Sequence, residues 1–231
     1  MSAHMRVPWV LGGLWLGFAG THLVLSSSRL RPALVARLGL QPFLGLYSVV
    51  ALGFFVPLVW LYFTHRHAGP LLWTTIGPPD AARAVNHVLM AAALVLLVGS
   101  FVPGSRAPSG MIPAGPQAAR GLLRVTRHPL FAGLGLFGVA HLLVNGNLGD
   151  VVFFAGFPLF AWIGARHQDE RKTRGVAGYA ELVRTTSIVP FGAIVTARQR
   201  LAWRELPLVA VAAGLGLTVI LRVYHDELFG P

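Results

Sequence analysis

Residues 122–150 read LLRVTRHPLFAGLGLFGVAHLLVNGNLGD. A basic run ends at Pro129, and an apolar stretch follows as far as Val144. Proline at a first helical position brings a preset φ and lacks only an N–H that would have no partner there, so a helix is predicted from Pro129. The Asn/Gly-rich NGNLG at 145–149 is a tight turn. A second apolar stretch, Leu148 to Ala165, makes the other arm of a helical hairpin. This apolar hairpin carries one imidazole at each end of its first arm, His128 and His141.

Working outward, the whole chain has the composition of a membrane protein. Charged residues are 12% and hydrophobic ones 55% of 231 residues, against about 25% charged in an ordinary soluble domain. The net charge of +11 is not a nucleic-acid signature, because duplex binding needs dense, exposed Lys and Arg and these basics sit in short gaps between apolar stretches. They read as topology signals facing an anionic bilayer. With no cysteine, disulfides, thiolate metal sites, iron–sulfur clusters and covalently attached c-type haem are excluded. The first apolar stretch follows a single arginine, is long and runs into SSSRLR without a small-residue cleavage site, so it is read as a membrane helix rather than a removed leader.

Six apolar segments approach the ~20 residues needed to cross ~30 Å of hydrocarbon: Pro8–Leu25, Pro42–Phe63, Ala82–Val102, Pro129–Val144, Leu148–Ala165 and Glu205–Val223. The loops are too short to fold alone, so residues 1–231 are expected to form one transmembrane domain, an all-α bundle of about six helices. Fifteen Lys and Arg fall in the loops after the first, third and fifth segments, and only Arg6, Arg66, Arg83 and Arg222 fall on the other side. The positive-inside rule then puts both termini on the periplasmic side of a bacterial cytoplasmic membrane.

That topology gives each histidine a depth. His22, His87, His128 and His141 lie at membrane level, where an ionisable residue is a functional candidate. His22 ends the inward-running first helix, level with His128. His141 lies thirteen residues beyond His128, or ~20 Å along the helix, level with His87 at the outer side. An inner pair, His22 with His128, and an outer pair, His87 with His141, result. Trp15, Phe18, His22 and Ser26 share one helix face, and Gly13-x-x-x-Gly17 invites close helix approach. The inner pair is read either as helix-end histidines bonded to water and headgroups or as metal ligands; the outer pair, His87 with His141, as an interhelical hydrogen bond, that is a structural pair, or as an alternative ligand site. The acidic residues (Asp80, Asp150, Asp169, Glu170, Glu181, Glu205, Asp226, Glu227) fall in loops or at helix ends, which disfavours a carboxylate-bridged metal centre. Two neutral imidazoles suit a non-covalent haem, with Arg124 and Arg127 placed for its propionates.

The segments GTHLVLSSSRLR, FLGLYSVVAL, RVTRHPLFAGLGLFGVAHLLVNGNLGD and GARHQDERK…TTSIVPF together resemble the NnrU family over residues 10 to 195. That family is similar to the plant and cyanobacterial 15-cis-ζ-carotene isomerase, a membrane protein with b-type haem. The resemblance implies haem b held by His22 and His128, with His141 as an alternative ligand, a hydrophobic polyene substrate, an electron donor and redox-gated isomerisation of a central cis double bond. Bacterial members are linked to denitrification and nitric oxide metabolism, which implies the alternative of a non-catalytic haem-binding accessory. RHPLFAG also resembles a motif of isoprenylcysteine and phospholipid methyltransferases that use S-adenosylmethionine. Phe131 replaces the tyrosine of that motif and Asp169-Glu170 replaces its paired glutamates.

Overall fold

The computed structural model describes residues 3–102 and 119–229; Arg106, counted above among the basic loop residues, lies outside them. In chain order the elements are α1 (Ala3–Leu25), α2 (Leu30–Leu38), α3 (Leu40–Thr64), β1 (Leu71–Trp73), α4 (Pro79–Gly99), α5 (Leu122–Val125), α6 (Pro129–Leu142), β2 (Gly146–Asn147), α7 (Leu148–Gly175), α8 (Tyr179–Thr185), α9 (Gly192–Val195), α10 (Leu208–Val223) and α11 (His225–Phe229). Each of the six apolar segments is helical. Four helices, α1, α3, α4 and α7, are long and apolar enough to cross a bilayer, whereas α6 and α10 are shorter. Large apolar side chains stand outward on the long helices, among them Val49, Leu52, Val56 and Trp60 of α3. Such an apolar exterior suits lipid, and the protein is an all-α membrane protein apart from one small strand pair.

The described residues fall into two compact units. The first contains residues 3–83 and 141–156. Within it α1 packs on α3, and Gly17 makes the approach possible: a Cβ there would lie 2.3 Å from the Phe54 ring, whereas Gly13, the other half of the small-residue motif, opens on nothing within 4 Å. Gly156 in turn receives the Trp15 indole, whose Nε1 donates to the Phe153 carbonyl at 3.1 Å. The turn at 145–149 is tied down rather than free. β2 pairs antiparallel with β1, Leu71 opposite Asn147 and Trp73 opposite Gly146, and the Leu148 and Gly149 amides donate to the Pro70 and Ala68 carbonyls.

Among the described residues the second unit contains 84–102, 119–140 and 157–229. Here α4 meets α6 and α10 through glycines. A Cβ on Gly133 would lie 2.9 Å from the Ala93 carbonyl oxygen, and one on Gly214 would lie 2.6 Å from the Val95 backbone. Close backbone approach through small residues is how helices gain van der Waals contact where lipid supplies no hydrophobic drive. The charged run RHQDERKTR, placed in a loop by its composition, is helical: α7 continues through it to Gly175. The reason is burial, since Phe157, Ala161, Ala165, Asp169 and Lys172 are all buried and recur at helical spacing.

Candidate functional site

The RHP motif forms the centre of a buried polar network in the second unit. Pro129 disfavours helical geometry at the residue before it, and Thr126 caps α5 in extended conformation. The strip is then stitched to the segment after α8: the Arg127 amide donates to the Ser187 carbonyl at 2.9 Å, the Phe191 amide to Val125 at 2.8 Å, and Thr126 Oγ1 to Ile188 at 2.7 Å. Thr126 Oγ1 also accepts the His128 amide at 3.2 Å.

The side chains converge on Asp169. Arg127 donates to Oδ2 through Nε at 2.9 Å and Nη2 at 2.6 Å, and its Nη1 donates to the Thr186 carbonyl at 3.2 Å. His128 Nε2 and the Tyr179 hydroxyl both bond Oδ1, each at 2.7 Å. A carboxylate clasped twice by a guanidinium is an acceptor only, so His128 Nε2 carries a proton and donates it. In the neutral ring the lone pair then belongs to Nδ1. His128 is 1% exposed; burial is the main cause that pushes its pKa below the ordinary histidine value, outweighing the opposing pull of Asp169. Burial first, and then the Asp169 charge, push the Tyr179 phenol above its usual range.

His22, in the first unit, is held differently. Its Nδ1 lies 3.0 Å from the Phe18 carbonyl. A carbonyl can only accept, so Nδ1–H donates and the neutral ring's lone pair is on Nε2. The ring lies against Phe18 at 4.2 Å and edge-on to Tyr47 at 4.8 Å, and Phe18 also meets Phe55 at 5.3 Å. The same unit contains a second carboxylate hub. Asp150, in the first turn of α7, accepts from His67 Nδ1 at 2.8 Å, the His67 amide at 3.2 Å and the Tyr62 hydroxyl at 3.2 Å, and Tyr62 stacks on Phe153 at 3.9 Å.

Of the outer histidines, His141 stacks on Phe154 at 4.4 Å, and its carbonyl accepts from Asn145 Nδ2. His87 Nε2 accepts from Arg222 Nε at 3.1 Å. Arg124 places Nε and Nη2 on Glu205 and Nη1 on Gln199. The Gly121 amide also donates to Glu205 Oε2 at 3.1 Å.

Tyr179, Asp150 and His67 are not singled out in the sequence, and Asp169 is met there only as a departure from the paired glutamates of the methyltransferase motif. The usable signal for Asp169 was the period: counting on from Ala161 and Ala165 reaches it on the same buried stripe. For Asp150 there was no such stripe, because its partners come from Tyr62 and from the loop at His67.

For a haem, the residues fit unequally. His22 is locked through Nδ1 with its lone pair at Nε2, as a ligating imidazole whose other nitrogen is hydrogen-bonded requires. His128 as held turns Nε2 to Asp169, and Nδ1 lies next to the ring carbon that bears Cβ, where a flat macrocycle collides with the residue's own chain. His128 therefore does not fit in this arrangement.

The profile of the NnrU protein family matches residues 10–231, and the chain belongs to that family. The Arabidopsis thaliana protein named 15-cis-zeta-carotene isomerase, chloroplastic, is 27% identical over 207 residues, 87% of this chain and 56% of its own length. The Zea mays protein of the same name is 35% identical over 82 residues, 35% of this chain and 22% of its own length. The chain thus spans about half the length, or less, of these curated relatives. No solved structure matches it.

Proposed function

We propose that this NnrU family member is a haem-b membrane isomerase that converts a central cis double bond of a polyene to trans, drawing on an electron donor. The observation that carries the reading is His22: a histidine on an apolar helix, hydrogen-bonded at Nδ1 to the Phe18 carbonyl and flanked by Phe18 and Tyr47. The named activity of the relative that is similar over most of the chain supplies the reaction class. His22 would hold the iron through Nε2, and the group when bound would supply a redox-active iron in apolar surroundings. Phe18, Tyr47 and Phe55, none of them fully buried, cluster their rings beside His22, which suits a planar conjugated hydrocarbon. The same reading places the protein in a bacterial cytoplasmic membrane with six crossings and both termini outside.

The deciding experiment is the visible spectrum of the purified protein, oxidised and dithionite-reduced, with a pyridine haemochrome assay. A b-type spectrum that is lost in His22→Ala, followed by conversion of tri-cis ζ-carotene resolved by chromatography, is the expected result. A colourless protein after expression with ample haem supply would overturn the haem reading, and binding of S-adenosylmethionine would then be measured. Alkaline phosphatase fusions at either terminus test the orientation, with active fusions expected.

A further inference from the structure

Resemblance alone makes His128 an iron ligand, yet its Nε2 is the nitrogen that Asp169 occupies. We infer that Asp169 is a positioning residue for His128: pinned by Arg127 and Tyr179, it fixes the Nε2–H tautomer and so withholds that nitrogen from iron. The geometry is over-determined. Oδ2 is taken by two guanidinium N–H groups and Oδ1 by the Tyr179 hydroxyl, so the carboxylate can neither rotate away nor release His128 without leaving buried donors unmatched. The arginine is itself anchored to the Thr186 carbonyl. The backbone that carries the ring is fixed as well, because the His128 amide donates to Thr126 Oγ1 and its carbonyl accepts from Ala132 in the first turn of α6. The arrangement is the carboxylate–histidine pair of metal sites turned round, with the carboxylate on the nitrogen that would otherwise ligate. This inference rests on the haem reading only in what it says of iron; the tautomer stands without it.

The first test needs neither haem nor a variant. Long-range proton–nitrogen correlation spectra of histidine-labelled apoprotein in detergent should show His128 with a pyrrole-type Nε2 and a pyridine-type Nδ1, assigned by loss of the signals in His128→Asn. The reverse pattern would overturn the inference. In Asp169→Asn the amide oxygen is expected to face Arg127 and its NH2 to face His128, inverting the tautomer, while Asp169→Glu restores the original. A merely structural role predicts no inversion, and an unchanged tautomer in a folded Asp169→Asn protein also overturns the proposal. Failure to take up haem at all falls on the proposed function, and the apoprotein spectra still decide the tautomer.

Discussion

Each unit contains an aspartate bonded by one histidine and one tyrosine, and the two hubs differ in what balances the charge. Around Asp169 the histidine is sealed from solvent and an arginine closes the set with two hydrogen bonds. Around Asp150, itself 0% exposed, the carboxylate bonds the His67 amide and ring and the Tyr62 hydroxyl; His67, whose side chain is 51% exposed, stands between it and solvent. His67 adopts a positive φ of 56° to bring both its amide and its ring to the same carboxylate. A buried carboxylate needs either a permanent charge or a partner that water can solvate, and the protein uses one solution in each unit. The sealed hub is accordingly the stiffer of the two and the one in which a single deletion strands the most.

Asp169→Ala is therefore expected to have the largest effect. It leaves the Arg127 guanidinium buried without its carboxylate, a loss of about 3–5 kcal/mol for a broken buried pair, measured by unfolding in mixed detergent–SDS micelles. A loss under about 1 kcal/mol would mean that water reaches the network. Asp150→Ala should follow at about 1–3 kcal/mol, the range for unmatched buried donors, because His67 can turn to solvent. If it matched or exceeded Asp169→Ala, the distinction between a sealed and a vented hub would collapse.

The contrast also explains how far the sequence could be read. Apolar length located all six helical segments, because burial in lipid demands long runs of such residues. The RHP motif pointed to Arg127 and His128 through its junction of basic residues and a helix-starting proline. Asp169 was hidden by composition: Arg166, Arg171, Lys172 and Arg174 around it make the run look like a solvated loop, although its helical stripe continues. His67 and Asp150 meet only because the strand pair closes the turn at 145–149 onto residues 68–73, and a three-residue strand has no periodicity to detect. The tautomers of His22 and His128 were beyond reach for a different reason, since each depends on a single hydrogen-bond acceptor brought in by folding.

Acid should separate the hubs next. Burial holds the His128 pKa below its unfolded value, so the folded state favours the neutral ring. Below the ordinary histidine pKa of about 6.5, the unfolded chain binds a proton that the fold resists, and stability falls as pH is lowered. The slope is at most about 1.4 kcal/mol per pH unit for one such group. Unfolding measured from pH 7.5 to 5.5 should show that slope in the wild type and a flatter one in His128→Asn. Equal slopes in the two proteins would show that His128 is protonated as readily folded as unfolded.

The smallest expected difference is between the two tyrosines. Tyr179→Phe removes a 2.7 Å bond to Asp169 inside the sealed hub, where no solvent replaces the lost donor. Tyr62→Phe removes a longer bond of 3.2 Å to Asp150 and keeps the ring stacked on Phe153. A neutral donor to a partnered carboxylate contributes about 1 kcal/mol, so Tyr179→Phe should cost about that and Tyr62→Phe roughly half as much. Both carboxylates retain their histidines, so neither change strands a charge, and the pair isolates the hydroxyl contribution from the ionic one. Should Tyr62→Phe prove the more damaging, the Asp150 hub would depend on its tyrosine hydroxyl more than on His67 for hydrogen bonding, and His67 would be a cover on that hub rather than its main donor.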